Sequence, residues 1–210
     1  LNSAYGAIGN EWFRYYDLKI AEGITTSGQL SIRWIEQALN GYLNKLLKTD
    51  GIDYVIASDT DSVYIRFDEL INKVLPKRKD DAESAYRGRA VDFLNRIAEE
   101  KIEPFINKSY QDLASYVNAF EQKMEMGREA IADKGIWTAK KRYILNVWDM
   151  EGVRYQEPQL KIMGIEAVKS STPAPCRDKI KECLKIIMSG NEKDVNNFIQ
   201  DFRKEFMQLP

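Results

Sequence analysis

A chain of 210 residues without a single histidine excludes Ser-His triads, histidine-bound zinc and histidine acid–base catalysis, leaving carboxylates, Lys, Arg, Tyr or metal ions for any chemistry. Its 31 basic and 32 acidic residues nearly cancel, so a nucleic-acid partner would have to be met by local patches rather than by a global field. With 44% hydrophobic residues the length suits one domain or one and a half, and no apolar run approaches the roughly 20 residues that cross a bilayer.

The opening residues LNSAYG carry neither a basic nor an apolar leader region, and a start at Leu1 reads as a fragment or processed piece. This fits a cytoplasmic protein without membrane attachment. Over 27–47 the apolar residues Ile32, Ile35, Leu39, Leu43 and Leu46 recur at helical spacing and predict an amphipathic helix ending near Thr49, Asp50 and Gly51. Residues 52–57 and 63–67, rich in β-branched and aromatic side chains, predict a hairpin around SDTDS. The charged stretch 75–90 leads into a helix with Val91, Leu94, Ala98, Ile102 and Phe105 inward and a break or kink near Pro104.

Residues 123–133 and 140–149 alternate in strand fashion, the second with Tyr143, Leu145 and Val147 on one face, and a turn at Met150, Glu151 and Gly152 returns the chain. These elements make an α+β pattern of mixed or antiparallel sheet packed by helices. After SSTPAP the texture becomes helical. Thr172 is the expected cap of a helix that Gly190 stops, and Asn191 opens a second with Val195, Phe198, Phe202 and Phe206 inward. A domain boundary is expected at 172/173. Cys176 and Cys183, seven apart on that first helix, are too far apart to bridge, which fits a reducing compartment.

The chemistry concentrates at Asp59 and Asp61. An Asp-Thr-Asp at a bend serves ordinarily as a turn device, its carboxylates accepting nearby backbone amides. An EF-hand is excluded, because Val63 and Leu70 stand where oxygen ligands would be needed. A Mg²⁺ site remains open, since Mg²⁺ takes one or two carboxylates plus substrate phosphates and paired ions suit phosphoryl or nucleotidyl transfer.

The segment SDTDSVY resembles motif C of family B DNA polymerases, NSAYG at Asn2 to Gly6 resembles the end of their motif B, and KKRY at Lys140 to Tyr143 their KxY motif. FRYYDL at Phe13, GREA at Gly127 and LKIMGIEAVKSSTP from Leu160 are similar to the polymerases of T-even-like bacteriophages, so the resemblance covers essentially the whole chain. It implies a palm over 1–172 and the start of a helical thumb over 173–210, performing template-directed nucleotidyl transfer with two Mg²⁺ ions, or Mn²⁺ in their place. Asp61 would ligand both metals and Asp59 would stand near them; Glu129 matches a further carboxylate close by. Where phage relatives have another aspartate this chain has Gly127, leaving Glu125 or water to replace it.

The resemblance also implies that Asn2, Tyr5 and Gly6 line the nascent base pair, and that Lys141 and Tyr143, with Lys140 and Arg142 beside them, contact primer-template DNA. Deoxynucleoside triphosphates, the polymerase segment with motif A and the exonuclease domain, and a sliding clamp are the implied partners, in an infected bacterial host cell. Neither motif A, DxxSLYPS, nor the motif B lysine occurs here, so the isolated chain is expected to be inactive. Two rival readings stand beside this one: a palm-like nucleotide cyclase or nuclease, which keeps the hairpin without needing NSAYG or KKRY, and a non-catalytic structural or DNA-binding module that has inherited the polymerase texture.

Overall fold

The computed structural model describes residues 2–77 and 82–208, without the side chains of Asn2 and Ser3. The chain divides into two compact units, Leu1–Arg128 and Glu129–Pro210.

The first unit opens with α1 (Asn2–Ile8) and the long α2 (Leu18–Leu47). Helix α2 begins nine residues before the expected start at 27 because Asp17 caps it, its Oδ1 accepting the Ile20 amide at 3.1 Å. Gly23, Ser27 and Gly28 weaken helix propensity but none breaks the ladder as a proline would. The helix ends where the sequence indicated, with Lys48 in the left-handed region at φ 56° and its N–H on the Asn44 carbonyl. Strands β1 (Val55–Asp59) and β2 (Ser62–Ile65) form the predicted hairpin, and a short α3 (Asp68–Val74) follows.

Helix α4 (Glu83–Ile97) passes through one π turn, Ala98–Ile102, into α5 (Glu103–Tyr116). Pro104 supplies the reason: lacking an N–H, it cannot continue the α ladder, and the Glu103 amide bonds instead to the Ala98 carbonyl five residues back. The expected break or kink near Pro104 takes the form of this π turn in an otherwise continuous helix. The core joins Ile35, Leu39 and Leu43 of α2 to Tyr54 and Val55 of the hairpin and to Ile102, Ile106, Tyr110 and Leu113. Tyr42 stacks on Phe105 with ring centroids 4.1 Å apart. Truncating a fully buried side chain such as Leu39 to Ala costs about 2–5 kcal/mol.

Over 121–129 the burial alternates residue by residue, and Met124 and Met126 pack against this core, yet the segment forms no ladder among the described residues. The alternation that predicted a strand over 123–133 is thus a real side-chain pattern, but hydrogen-bonded strand begins only at Ala130.

The second unit is an antiparallel meander of β3 (Ala130–Ala139), β4 (Arg142–Met150) and β5 (Val153–Met163), with β4 central. The two connections are tight turns, at Lys140 and Lys141 and at Glu151 and Gly152, the latter pair both at positive φ as a hairpin of right-handed twist prefers. Tyr143, Leu145 and Val147 are buried on one face of β4, as the alternation predicted. From the other face Ile144 packs with Ile165, Ala167, Leu184 and Met188.

A 3-10 turn, Glu166–Val168, leads to α6 (Ala174–Ser189) and α7 (Glu192–Phe206). Pro173, not Thr172, occupies the cap of α6, and no side chain completes it; the Thr172 amide bonds back to the Lys169 carbonyl at 3.2 Å. Gly190 ends α6, and Asn191 caps α7 through a reciprocal box with Asp194. Val195, Phe198 and Phe202 are half-buried, whereas Phe206, expected inward, is 58% exposed and rests on Phe202. Both cysteines are free. Both sheets are antiparallel, and the α+β class holds. None of the described helices is long and apolar enough to cross a membrane.

Candidate functional site

The acidic hairpin is anchored at its base by two asparagines of α2. Asn40 Oδ1 accepts the amides of Tyr54 and Val55 at 2.8 and 2.9 Å while its Nδ2 donates to Asp53 at 2.6 Å. One turn later, Asn44 accepts from the Ile52 amide at 3.1 Å and donates to the Ile52 carbonyl at 2.7 Å. These bonds satisfy backbone groups just ahead of the strand, and the buried Tyr54 locks the same point by sharing a 2.9 Å hydrogen bond with Thr49. The apolar strands read as a buried hairpin, but burial is partial: Val55 is buried, whereas Ile56 is 49% exposed and β2 only half-buried. Two strands make a narrow sheet, so outer faces stay open.

Asp59 closes β1 opposite Ser62, and Thr60 and Asp61 form the turn. Thr60 takes φ 43°, and the Asp61 amide donates to the Asp59 carbonyl at 2.5 Å. The Thr60 hydroxyl donates to Asp59 Oδ1 at 3.1 Å and the Ser62 hydroxyl to Asp61 Oδ1 at 3.4 Å. Asp59 is half-buried and Asp61 exposed; among the described residues no basic side chain pairs with Asp61. Hard carboxylate oxygens, those of Asp61 met among the described residues by a hydroxyl and by no cation, are a donor set that fits Mg²⁺. Among the described residues no three acidic or cysteine side chains cluster, so the pair would hold an ion together with ligands from outside it.

Of the other acidic positions, Glu125 is exposed in the extended segment of the first unit. Glu129 belongs to the second unit, just ahead of β3, where its carboxylate accepts from Lys161. In α1, Tyr5 is 41% exposed, and a Cβ on Gly6 would meet nothing within 4 Å, so packing within this chain does not demand that glycine. The side chain of Asn2 lies outside the described residues.

The KKRY segment is not one continuous strand. Lys140 and Lys141 form the exposed β3–β4 turn, with Lys141 at φ 60°, and β4 starts at Arg142. Strand alternation therefore does not set the side on which Lys141 lies. Tyr143 is only 7% exposed, its ring tilted against Trp137 at 6.4 Å. Arg142 Nη2 donates to both oxygens of Glu166, at 2.6 and 2.9 Å, and Lys169 adds a 3.1 Å bond. Glu166 is held below the usual carboxylate range first by its own backbone N–H, then by Lys169 and Arg142.

Four supporting residues escaped the sequence reading: Asn40, Asn44, Gly164 and Glu166. The asparagines had a signal, since they lie four apart beside the buried stripe of Leu39 and Leu43, where a polar pair needs partners. Gly164 and Glu166 had none in a linear reading, because their role depends on β5 lying against β4.

No protein-family profile matches the chain. Over its full length it is 47% identical to a DNA-directed DNA polymerase of Escherichia phage RB69 and 44% identical to one of Enterobacteria phage T4. It spans 24%, about a quarter, of the length of each of these relatives. The similarity to phage polymerases expected from the motifs is borne out across the whole chain.

Proposed function

From this similarity to one quarter of two phage DNA-directed DNA polymerases, we propose that the chain supplies the palm, over 1–172, and the start of the thumb, over 173–210, of a family B polymerase working in an infected bacterial cell. The observation that carries the reading is the SDTDSVY hairpin, which sets an exposed Asp61 and its neighbour Asp59 at the tip of a strand pair pinned at its base.

In this reading Asp61 holds both divalent ions, Mg²⁺ or Mn²⁺, and Asp59 supports them. Bound there, the ions would lower the energy of the charge that develops as the primer 3′-oxygen displaces pyrophosphate. The chain's own contribution is to present the two carboxylates at the tip of an anchored hairpin. Asn2, Tyr5 and Gly6 line the nascent base pair, the glycine allowing close approach of backbone to a base. Lys140 and Lys141 meet primer phosphates from their turn, and Tyr143, though only 7% exposed, is assigned to the primer 3′ end by its place in the KxY motif. For Glu129 a place near the ions rests on sequence position alone. The motif A aspartate and the lysine that grips the triphosphate come from another polypeptide segment.

The test is primer extension with Mg²⁺ and deoxynucleotides, using this chain alone and together with the polypeptide carrying motif A. Extension in the mixture only, lost on Asp61→Ala, supports the reading. Extension by the chain alone, or extension that survives Asp61→Ala, refutes it.

A further inference from the structure

We propose that Glu166 is a positioning residue for the turn at Lys140 and Lys141, holding it through Arg142 so that both lysines meet the primer backbone in a fixed geometry. This deepens the polymerase reading and rests on it.

Three observations carry the inference. The backbone at Glu166 is immobilised, because its neighbours Ile165 and Ala167 are 8% and 1% exposed and belong to the core beneath β4. The carboxylate takes Arg142 Nη2 on both oxygens, and Arg142 is the first residue after the turn. Its Nε is shielded from solvent and without a partner among the described residues, although the side chain is 42% exposed.

The third observation is a backbone approach next door. Gly164 takes φ 67°, and a Cβ there would lie 2.1 Å from the Lys141 carbonyl oxygen and 3.2 Å from Arg142 Cγ. The segment after β5 therefore supports the turn at two points, Gly164 under its carbonyl and Glu166 through the arginine. An acidic side chain beside a phosphate-binding turn repels DNA by simple electrostatics. Bracing supplies a reason for it to stand there, and it makes Arg142 a structural cation rather than a DNA contact.

The sign of one substitution separates these possibilities. In the mixture with the polypeptide carrying motif A, Glu166→Gln keeps the shape and removes a negative charge. Bracing predicts primer-template affinity weaker by about threefold to fivefold, the effect of losing a half-exposed ion pair. The KM for deoxynucleotide should stay unchanged, and the melting temperature should fall only slightly. Reversing the pair, with Arg142→Glu and Glu166→Arg together, should recover affinity that either single change loses.

Unchanged or tighter DNA binding by Glu166→Gln would overturn the proposal, since it would mean that Glu166 merely repels DNA or withholds Arg142 from it. Gly164→Ala gives a second readout through the other support: primer-template affinity should fall further than with Glu166→Gln. A folded Gly164→Ala protein with full affinity would also overturn it. If the unsubstituted protein is indifferent to Lys141→Ala, the polymerase reading of this turn fails first and the role of Glu166 with it, a result distinguishable because Glu166 is intact there.

Discussion

Two tight turns carry the proposed chemistry, and they are held in opposite ways. Each is a two-residue connection with one residue in the left-handed region, Thr60 at φ 43° and Lys141 at φ 60°. The acidic turn of the first unit is pinned at its base by Asn40 and Asn44, and at its tip the carboxylates accept from the hydroxyls of Thr60 and Ser62. The basic turn of the second unit sits on a three-stranded sheet buried on both faces near Tyr143 and Ile144, with Gly164 under its carbonyl and Glu166 on its first arginine. A carboxylate that is to take a cation must keep its oxygens available, so its support comes from behind. Lysines that are to meet a regular array of phosphates gain from a braced backbone, because ordering a flexible loop on binding costs free energy.

The largest expected effect breaks the acidic side. Asp61→Ala should lower extension by about a thousandfold or more, several kcal/mol of transition-state stabilisation, while the protein remains folded by circular dichroism. Next come the supports themselves. Asn40→Ala strips a partner from two backbone amides and should cost about 2 kcal/mol in denaturant unfolding. Gly164→Ala forces a shift against the Lys141 carbonyl at a positive φ and should cost about 1–3 kcal/mol by the same measurement.

A smaller effect sharpens the basic side. Lys141→Ala should weaken primer-template binding severalfold and reduce the slope of log affinity against log salt by about 1. The smallest is a pH effect. Because the folded protein depresses the Glu166 pKa, its pairing contributes stability above the ordinary glutamate pKa and loses it as pH falls through the depressed value. Glu166→Gln should therefore lower the neutral region of a melting-temperature profile slightly and flatten its acid limb, the two proteins converging at low pH.

Much of this arrangement was legible in the sequence where a local period or cap decides structure. The stripe of Ile35, Leu39 and Leu43, the hairpin around SDTDS, the irregular turn before Pro104, and the Gly190–Asn191 junction all follow from neighbours along the chain. The early start of α2 did not, because the small and β-branched residues near Thr25 hide a helix that a single cap at Asp17 is enough to begin. Residues 121–129 show the limit of period two: alternation fixes which side chains turn inward, but a ladder needs a second strand. The acidic pair could be read from composition and spacing. The bracing of the basic turn could not, because it depends on β5 pairing Met163 with Tyr143 and so bringing Gly164 and Glu166 beneath Lys141 and Arg142.

The division of labour between the two turns is tested most directly by measuring primer-template affinity and the extension rate at saturating DNA for Asp61→Ala and Lys141→Ala, each in the mixture with the motif A polypeptide. The account predicts that Asp61→Ala keeps its affinity and loses the rate, and that Lys141→Ala loses affinity and recovers most of the rate at saturation. Equal losses of both quantities in both variants would contradict it.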